Sequence, residues 1–189
     1  MKLLFELGSE HVEAINAISG DRCIPHPHTF ADRLLRPGDQ CFFDIIHSFM
    51  GYRTCYYRTF NVSYATPSQI DAYKQCREWL DAAIDLVRPG VTTDKIAAVW
   101  PTAKELGFAD EHAAFGLQFG HGLGHGIGLE IHEAPRLNMQ SDAVLEAGMI
   151  VTCEPGIYLP GKGGVRIEDL VAVTEDGCDV LTRAPKELN

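Results

Sequence analysis

The sequence predicts an α+β domain with helices in the middle and sheet on both sides, and three observations carry that reading. Two apolar runs of strand character follow a Pro-Gly-Asp turn signal, a three-and-four periodicity takes over from Ser68, and strand signals separated by Pro-Gly and Asp-Gly turns fill the carboxy-terminal part. A chain of 189 residues, 46% hydrophobic, is long enough to bury one core, so residues 1–189 read as a single compact domain.

The elements follow in order. Residues 1–37 are mixed, and Cys23-Ile24-Pro25-His26-Pro27-His28 must be extended or turn-like, because proline removes donors and biases its predecessor away from helix. Pro37-Gly38-Asp39 marks a turn, Cys41 to Ile46 a strand, His47–Met50 a loop, and the run from Gly51 to Val62 a second strand that pairs with the first. Ile70, Tyr73, Cys76, Leu80, Ala83, Ile84 and Val87 then form one apolar face of a helix, with Ser68 and Asp71 as its capping box and Pro89-Gly90 as its stop. A shorter helix is expected from Thr93 through Ile96, Val99, Trp100 and Ala103 to Gly107. Strands return at Met149–Cys153, Val165–Val173 and Asp179–Thr182, with turns at Pro155-Gly156, Gly161–Gly164 and Asp176-Gly177.

Composition narrows the function. A formal charge of -10 without clustered Lys or Arg excludes a nucleic-acid or anionic-membrane surface and leaves small-molecule or peptide partners. Six cysteines at irregular spacings, with no CxxC pair, are neither a zinc ribbon nor a disulfide framework, and they point to reduced thiols in the cytoplasm. The first apolar run is too short for a signal peptide, and no stretch reaches the length of a membrane span.

Some residues resist a purely structural reading. Gly120, Gly122, Gly124, Gly126 and Gly128 together would cost roughly 4–5 kcal/mol in a helix, so the segment holding His121, His125 and His132 is not one. Asp44 interrupts an apolar strand, Glu154 precedes a turn, and Glu168 lies in another apolar run, where an unpaired inward carboxylate needs a cation beside it. Singly, each reads as well as an ordinary acid: Asp44 at a strand end, Glu154 in a solvated turn, Glu168 paired with Arg166 along a strand. The HxxxH spacing of His121 and His125 matches the zinc-protease helix motif, but Gly122 stands where that motif has its glutamate.

The ordered set FFDIIHSFMGYRTCYYRTF, HGLGHGIGLEIHEAP, GMIVTCEPGIYLP and GGVRIEDLVAVTEDG resembles the pita-bread metallopeptidases, the family of Xaa-Pro aminopeptidases, prolidases, methionine aminopeptidases and creatinases. The likeness runs over residues 16–182. It implies two pseudo-symmetric halves with antiparallel sheet and helices on one side. It also implies an incomplete start over residues 1–20, no amino-terminal domain of the kind Xaa-Pro enzymes carry, and either a longer parent protein or a partner, such as a second copy, covering the first half-sheet. By the same resemblance Asp44, His125, Glu154 and Glu168 ligate one or two divalent transition ions (Mn, Zn, Co or Fe), and Cys55 replaces a bridging aspartate expected eleven residues after Asp44. A softer thiolate there shifts preference from manganese toward zinc, cobalt or iron(II). His121 and His132 match histidines that contact substrate and the tetrahedral intermediate, Glu154 a proton shuttle, Arg166 a supporting arginine, and His28, or else His26, a further pocket histidine. The implied activity is hydrolysis of a peptide bond by a metal-activated water, with a binding module or a metal-free creatinase-like C–N hydrolase as alternatives.

Overall fold

The structure, a computed structural model, describes residues 1–23, 33–107, 109, 122–159 and 163–188. Its first sheet is the antiparallel meander β1 (His11–Ser19), β2 (Gln40–Phe49) and β3 (Tyr52–Asn61). The β2–β3 turn is only Met50-Gly51, both at positive φ (50° and 83°), the sign pattern of a type I′ hairpin turn. The expected loop at His47–Met50 is therefore strand almost to its end. Because a two-residue turn fixes register, Phe49 faces Tyr52 and, five pairs along, Asp44 faces Tyr57. β1 was hidden in the mixed amino-terminal region; its inward residues Val12, Asn16 and Ile18 straddle a bulge that breaks the alternation. A short helix α1 (Lys2–Glu6), with no buried residue, precedes it.

The second sheet runs β10 (Cys178–Val180), β9 (Asp169–Val173), β6 (Ile150–Cys153), β4 (Gly124–Gly126), β5 (Glu133–Leu137), and a separate hairpin pairs β7 (Gly156–Leu159) with β8 (Gly163–Arg166). The expected continuous strand from Val165 to Val173 is thus two strands in different sheets, broken at Ile167-Glu168. α2 (Pro67–Leu86) packs on β6, β7 and β8, and α3 (Thr93–Ala97) on β5. The capping box is Thr66 with Gln69, not Ser68 with Asp71: Gln69 N donates to Thr66 Oγ1 at 3.3 Å and Thr66 N to Gln69 Oε1 at 2.8 Å, with Pro67 suited to the first helical position. α3 stops well before Gly107, because Pro101 offers no N–H to continue a helix through Trp100.

The glycines of β4 serve the packing of the sheet. A methyl on Gly124 would collide with the Thr152 carbonyl oxygen, and one on Gly126 with that of Ala134. Glycine here lets β4 sit tightly between β5 and β6. Two apolar clusters result: one joins α2 and α3 to the second sheet, and the other holds Ile18, Phe42, Cys55, Tyr57, Ile127 and Tyr158 between the sheets. No helix among the described residues is long and apolar enough to cross a membrane.

Candidate metal centre

Each residue of the centre is placed by a strand or by a strand's end. His125 lies mid-β4, its amide donating to Thr152 Oγ1 at 3.1 Å. Glu154 follows β6 at the point where the chain leaves the five-stranded sheet for the hairpin, and its amide donates to Leu123 O at 2.7 Å. Glu168 lies where the chain returns, its amide donating to Tyr57 O at 3.2 Å in the first sheet. Asp44 and Cys55 are inward residues of β2 and β3.

These placements bring His125, Glu154 and Glu168 together, with one ligand atom from each lying within 4.8 Å of the others, all buried. The His125 Nδ1–H donates to Gly126 O at 2.8 Å, which leaves the Nε2 lone pair facing Glu154 Oε1 at 3.4 Å. The other Glu154 oxygen accepts from Arg166, whose guanidinium also donates to Tyr158 Oη at 3.2 Å and lies over the Tyr57 ring at 4.8 Å. Thr59 fixes the Arg166 backbone through both its N–H and its carbonyl. Behind Glu168, Arg58 donates to the Glu168 carbonyl and to Asp169 Oδ1 at 2.7 Å.

Asp44 and Cys55 adjoin this trio. Asp44 Oδ2 accepts from Asn16 Nδ2 at 2.7 Å and Tyr57 Oη at 2.6 Å, while the Cys55 thiol lies 3.6 Å from Asp44 Oδ1 and 3.5 Å from Glu168 Oε2. The His132 ring, on a more exposed residue, stands 4.3 Å from that of His125. His121, His26 and His28 lie outside the described residues. Asn16, Tyr57, Thr59, Tyr158 and Arg58 were not singled out from the sequence as supports of the centre. The hairpin turn at Met50-Gly51 was the signal that could have found Tyr57, since it sets Tyr57 opposite Asp44.

Electrostatics separate the two glutamates. Burial alone would raise Glu154, but the Arg166 guanidinium beside it holds its carboxyl below the usual range. Glu168 has no such counter-charge in contact: burial, then Glu154 and Asp44, push it well above that range. Among the described residues its Oε1 is buried without a hydrogen-bond partner. An unsatisfied buried carboxylate oxygen, a second carboxylate and an imidazole in its ligand tautomer fit a divalent transition ion held by His125, Glu154 and Glu168.

A buried His–Glu–Glu cluster backed by an arginine and set between two antiparallel sheets is a candidate metal centre on a pita-bread fold. Residues 3–175 match the model of metallopeptidase family M24, and the chain belongs to that family. It is 38% identical to an Xaa-Pro dipeptidase of Pyrococcus furiosus over 164 residues, covering 86% of this chain and 45% of the relative. It is 39% identical to a probable dipeptidase PepE of Mycobacterium tuberculosis over 166 residues, covering 87% of this chain and 42% of the relative. Among solved structures, the prolidase of Pyrococcus horikoshii aligns with a TM-score of 0.86 at 33% identity, covering all of this chain and 53% of its own. The X-Pro aminopeptidase of Thermotoga maritima aligns at 0.84 and 31%, covering 99% and 52%. The chain thus spans about half the length of the proteins it matches, or somewhat less.

Proposed function

We propose that this chain carries the catalytic centre of a metal-dependent peptidase of the Xaa-Pro aminopeptidase or dipeptidase type. The observation that carries the reading is the buried convergence of His125, Glu154 and Glu168 with one Glu168 oxygen unsatisfied. The chain's likeness to an Xaa-Pro dipeptidase and an X-Pro aminopeptidase supports the substrate class, a short peptide with proline in second position. When bound, a divalent ion supplies Lewis acidity that polarises a peptide carbonyl and makes water nucleophilic near neutral pH.

The chain's own residues do the rest. Arg166 keeps Glu154 ionised despite its burial, so the Glu154 carboxylate is able to accept a proton from the attacking water and return it to the leaving amine. The Gly126 carbonyl holds His125 in one tautomer. His132, beside it, is placed to donate to the oxygen that gains charge as the carbonyl is attacked, with His121 and His28 or His26 completing the pocket in the family's pattern. Six unpaired cysteines favour a reducing, cytoplasmic setting, and we take residues 1–189 as one domain that pairs with a second copy or a further segment over its first sheet.

One observation favours a second reading, a pita-bread module that binds peptides without cleaving them: Cys55 and Tyr57 occupy the Asp44 side of the centre. The deciding experiment is hydrolysis of a short peptide series, with and without proline in second position, by chelated protein reloaded with Mn(II), Co(II) or Zn(II). Metal-dependent cleavage of the proline peptides supports the proposal. Metal uptake with no cleavage of any peptide supports the binding module, and cleavage of a C–N substrate that survives chelation supports the creatinase-like alternative.

A further inference from the structure

The Asp44 side of the centre differs in kind from the His125 side. On the His125 side, Glu168 Oε1 has no hydrogen-bond partner among the described residues and an imidazole lone pair faces inward. On the Asp44 side, Oδ2 already accepts from Asn16 and Tyr57 at 2.7 and 2.6 Å, and Oδ1 faces the Cys55 thiol at 3.6 Å.

We propose that the centre takes one divalent cation, at His125, Glu154 and Glu168, and that Asp44, Cys55, Asn16 and Tyr57 form a hydrogen-bonded wall beside it in place of a second metal position. The inference rests on the reading of the cluster as a metal centre, and it departs from the five-ligand pattern that the family resemblance implied.

Two observations beyond the hydrogen bonds support it. Tyr57 is locked: register sets it opposite Asp44, its ring lies under Arg166 at 4.8 Å and 6.1 Å from that of Phe42, and Arg166 in turn grips Glu154. Turning its hydroxyl away from Asp44 would disturb the groups that position Glu154. Charge agrees. With Asp44, Glu154 and Glu168 all ionised, as metal binding requires, the Arg166 guanidinium in contact with Glu154 leaves two negative charges, which one divalent cation balances. An aspartate at position 55 would add a further negative charge and leave room for more of the second ion's charge; cysteine does not.

The test is metal titration of chelated protein with Mn(II) alone, counting bound ions by equilibrium dialysis and recording the electron paramagnetic resonance spectrum. The expected result is one ion per chain with an uncoupled Mn(II) spectrum. Glu168→Gln should weaken binding beyond the 10–100-fold typical of groups that merely support a ligand, and Asp44→Asn by about tenfold at most. Cys55→Ser should leave the count at one. Cys55→Asp combined with Tyr57→Phe, which supplies a carboxylate and frees Asp44, should admit a second ion, and an exchange-coupled spectrum in that variant alone supports the proposal. Two ions per chain in the unaltered protein, or equal weakening in Asp44→Asn and Glu168→Gln, overturns it while leaving the peptidase reading intact. No bound ion at all overturns the metal-centre reading on which it rests.

Discussion

Replacing Arg166 by methionine tests the electrostatic logic of the centre directly. The side chain is 7% exposed, donates to Glu154 and Tyr158, and covers the Tyr57 ring, so methionine keeps much of the volume and removes the charge. Breaking a buried ion pair by deleting one partner costs about 3–5 kcal/mol, because the other charge stays buried and unpaired. The lost cation–π contact adds about 0.5–2 kcal/mol. Partial repacking offsets some of this, so the expected loss is about 4 kcal/mol, or about 8–16 °C in Tm for a chain of this size. In the Arg166→Met/Glu154→Gln protein the orphaned charge is gone, and stability should return to within about 2 kcal/mol of the unaltered chain. Urea unfolding of chelated protein, followed by the fluorescence of Trp79 and Trp100, gives all corners of the double-mutant cycle. The pH sign is also fixed. In the unaltered chain Glu154 sits below its ordinary value, so it contributes stability that is present above that value and lost as pH falls through the folded one. Without Arg166 its carboxyl rises instead, so Arg166→Met should cost less at low pH than at high pH. A cost below about 1 kcal/mol, or a double variant less stable than the single one, would refute the argument that Arg166 holds Glu154 ionised.

Three other outcomes are expected. His125→Ala should lose metal and activity together, whereas His132→Ala should keep its metal and lose about 10²–10³ in turnover, as for one transition-state hydrogen bond; equal metal loss in both would show the ligand wrongly assigned. Because Glu168 is raised in the fold, the folded metal-free protein binds its proton more tightly than the unfolded chain does, so stability should fall as pH rises from the ordinary Glu value of 4.5 through the raised one. Metal binding removes that proton and should abolish the fall, and calorimetry of chelated and loaded protein across the window checks both. Gly124→Ala should cost about 3 kcal/mol or more, read in the same urea assay, since its methyl meets the backbone of Thr152 and not a side chain that can swing aside.

What the sequence discloses, and what it hides, follows from the range of the interactions. Asp44, Glu154 and Glu168 stand out because local strand physics has no place for them, and α2 because its apolar period is sustained over 20 residues. That the acids converge depends on strand order, which no local pattern encodes, and only the likeness of the separated motifs to a known family suggested it. β1 escaped because Asn16 interrupts its inward face, although that polar residue is where it serves Asp44. The apolar period beyond Ala97 overstates α3, because Pro101 outweighs it. Tyr57 was legible in principle, given the two-residue hairpin, but placing the loop over four residues loses the register and with it the partner of Asp44.

The three candidate ligands share a device that brings them together. Each has its own backbone amide tied to a different element: His125 to Thr152 of β6, Glu154 to Leu123 ahead of β4, and Glu168 to Tyr57 of the first sheet. Two of them sit where the chain changes sheets, and those links are joined by the Ile167 amide donating to Pro155 O at 3.4 Å. With Cα positions held this way, neither the burial of Glu168 nor its repulsion by Glu154 and Asp44 can be relieved by the backbone spreading, and together they emerge as the raised proton affinity of Glu168. That is how a preorganised site stores the cost of its charges. An ion that binds the folded chain and not the unfolded one returns the cost as stability, in proportion to the logarithm of its concentration over its Kd. Loosening one anchor should therefore separate two quantities that usually move together. Thr152→Val, which removes the acceptor for the His125 amide, should weaken metal binding by about 10–100-fold, as loss of a supporting group does. The metal-free fold should lose only about 1–3 kcal/mol, the cost of one unsatisfied buried donor. If dialysis showed metal affinity unchanged in that variant, the backbone anchors would be incidental to the centre.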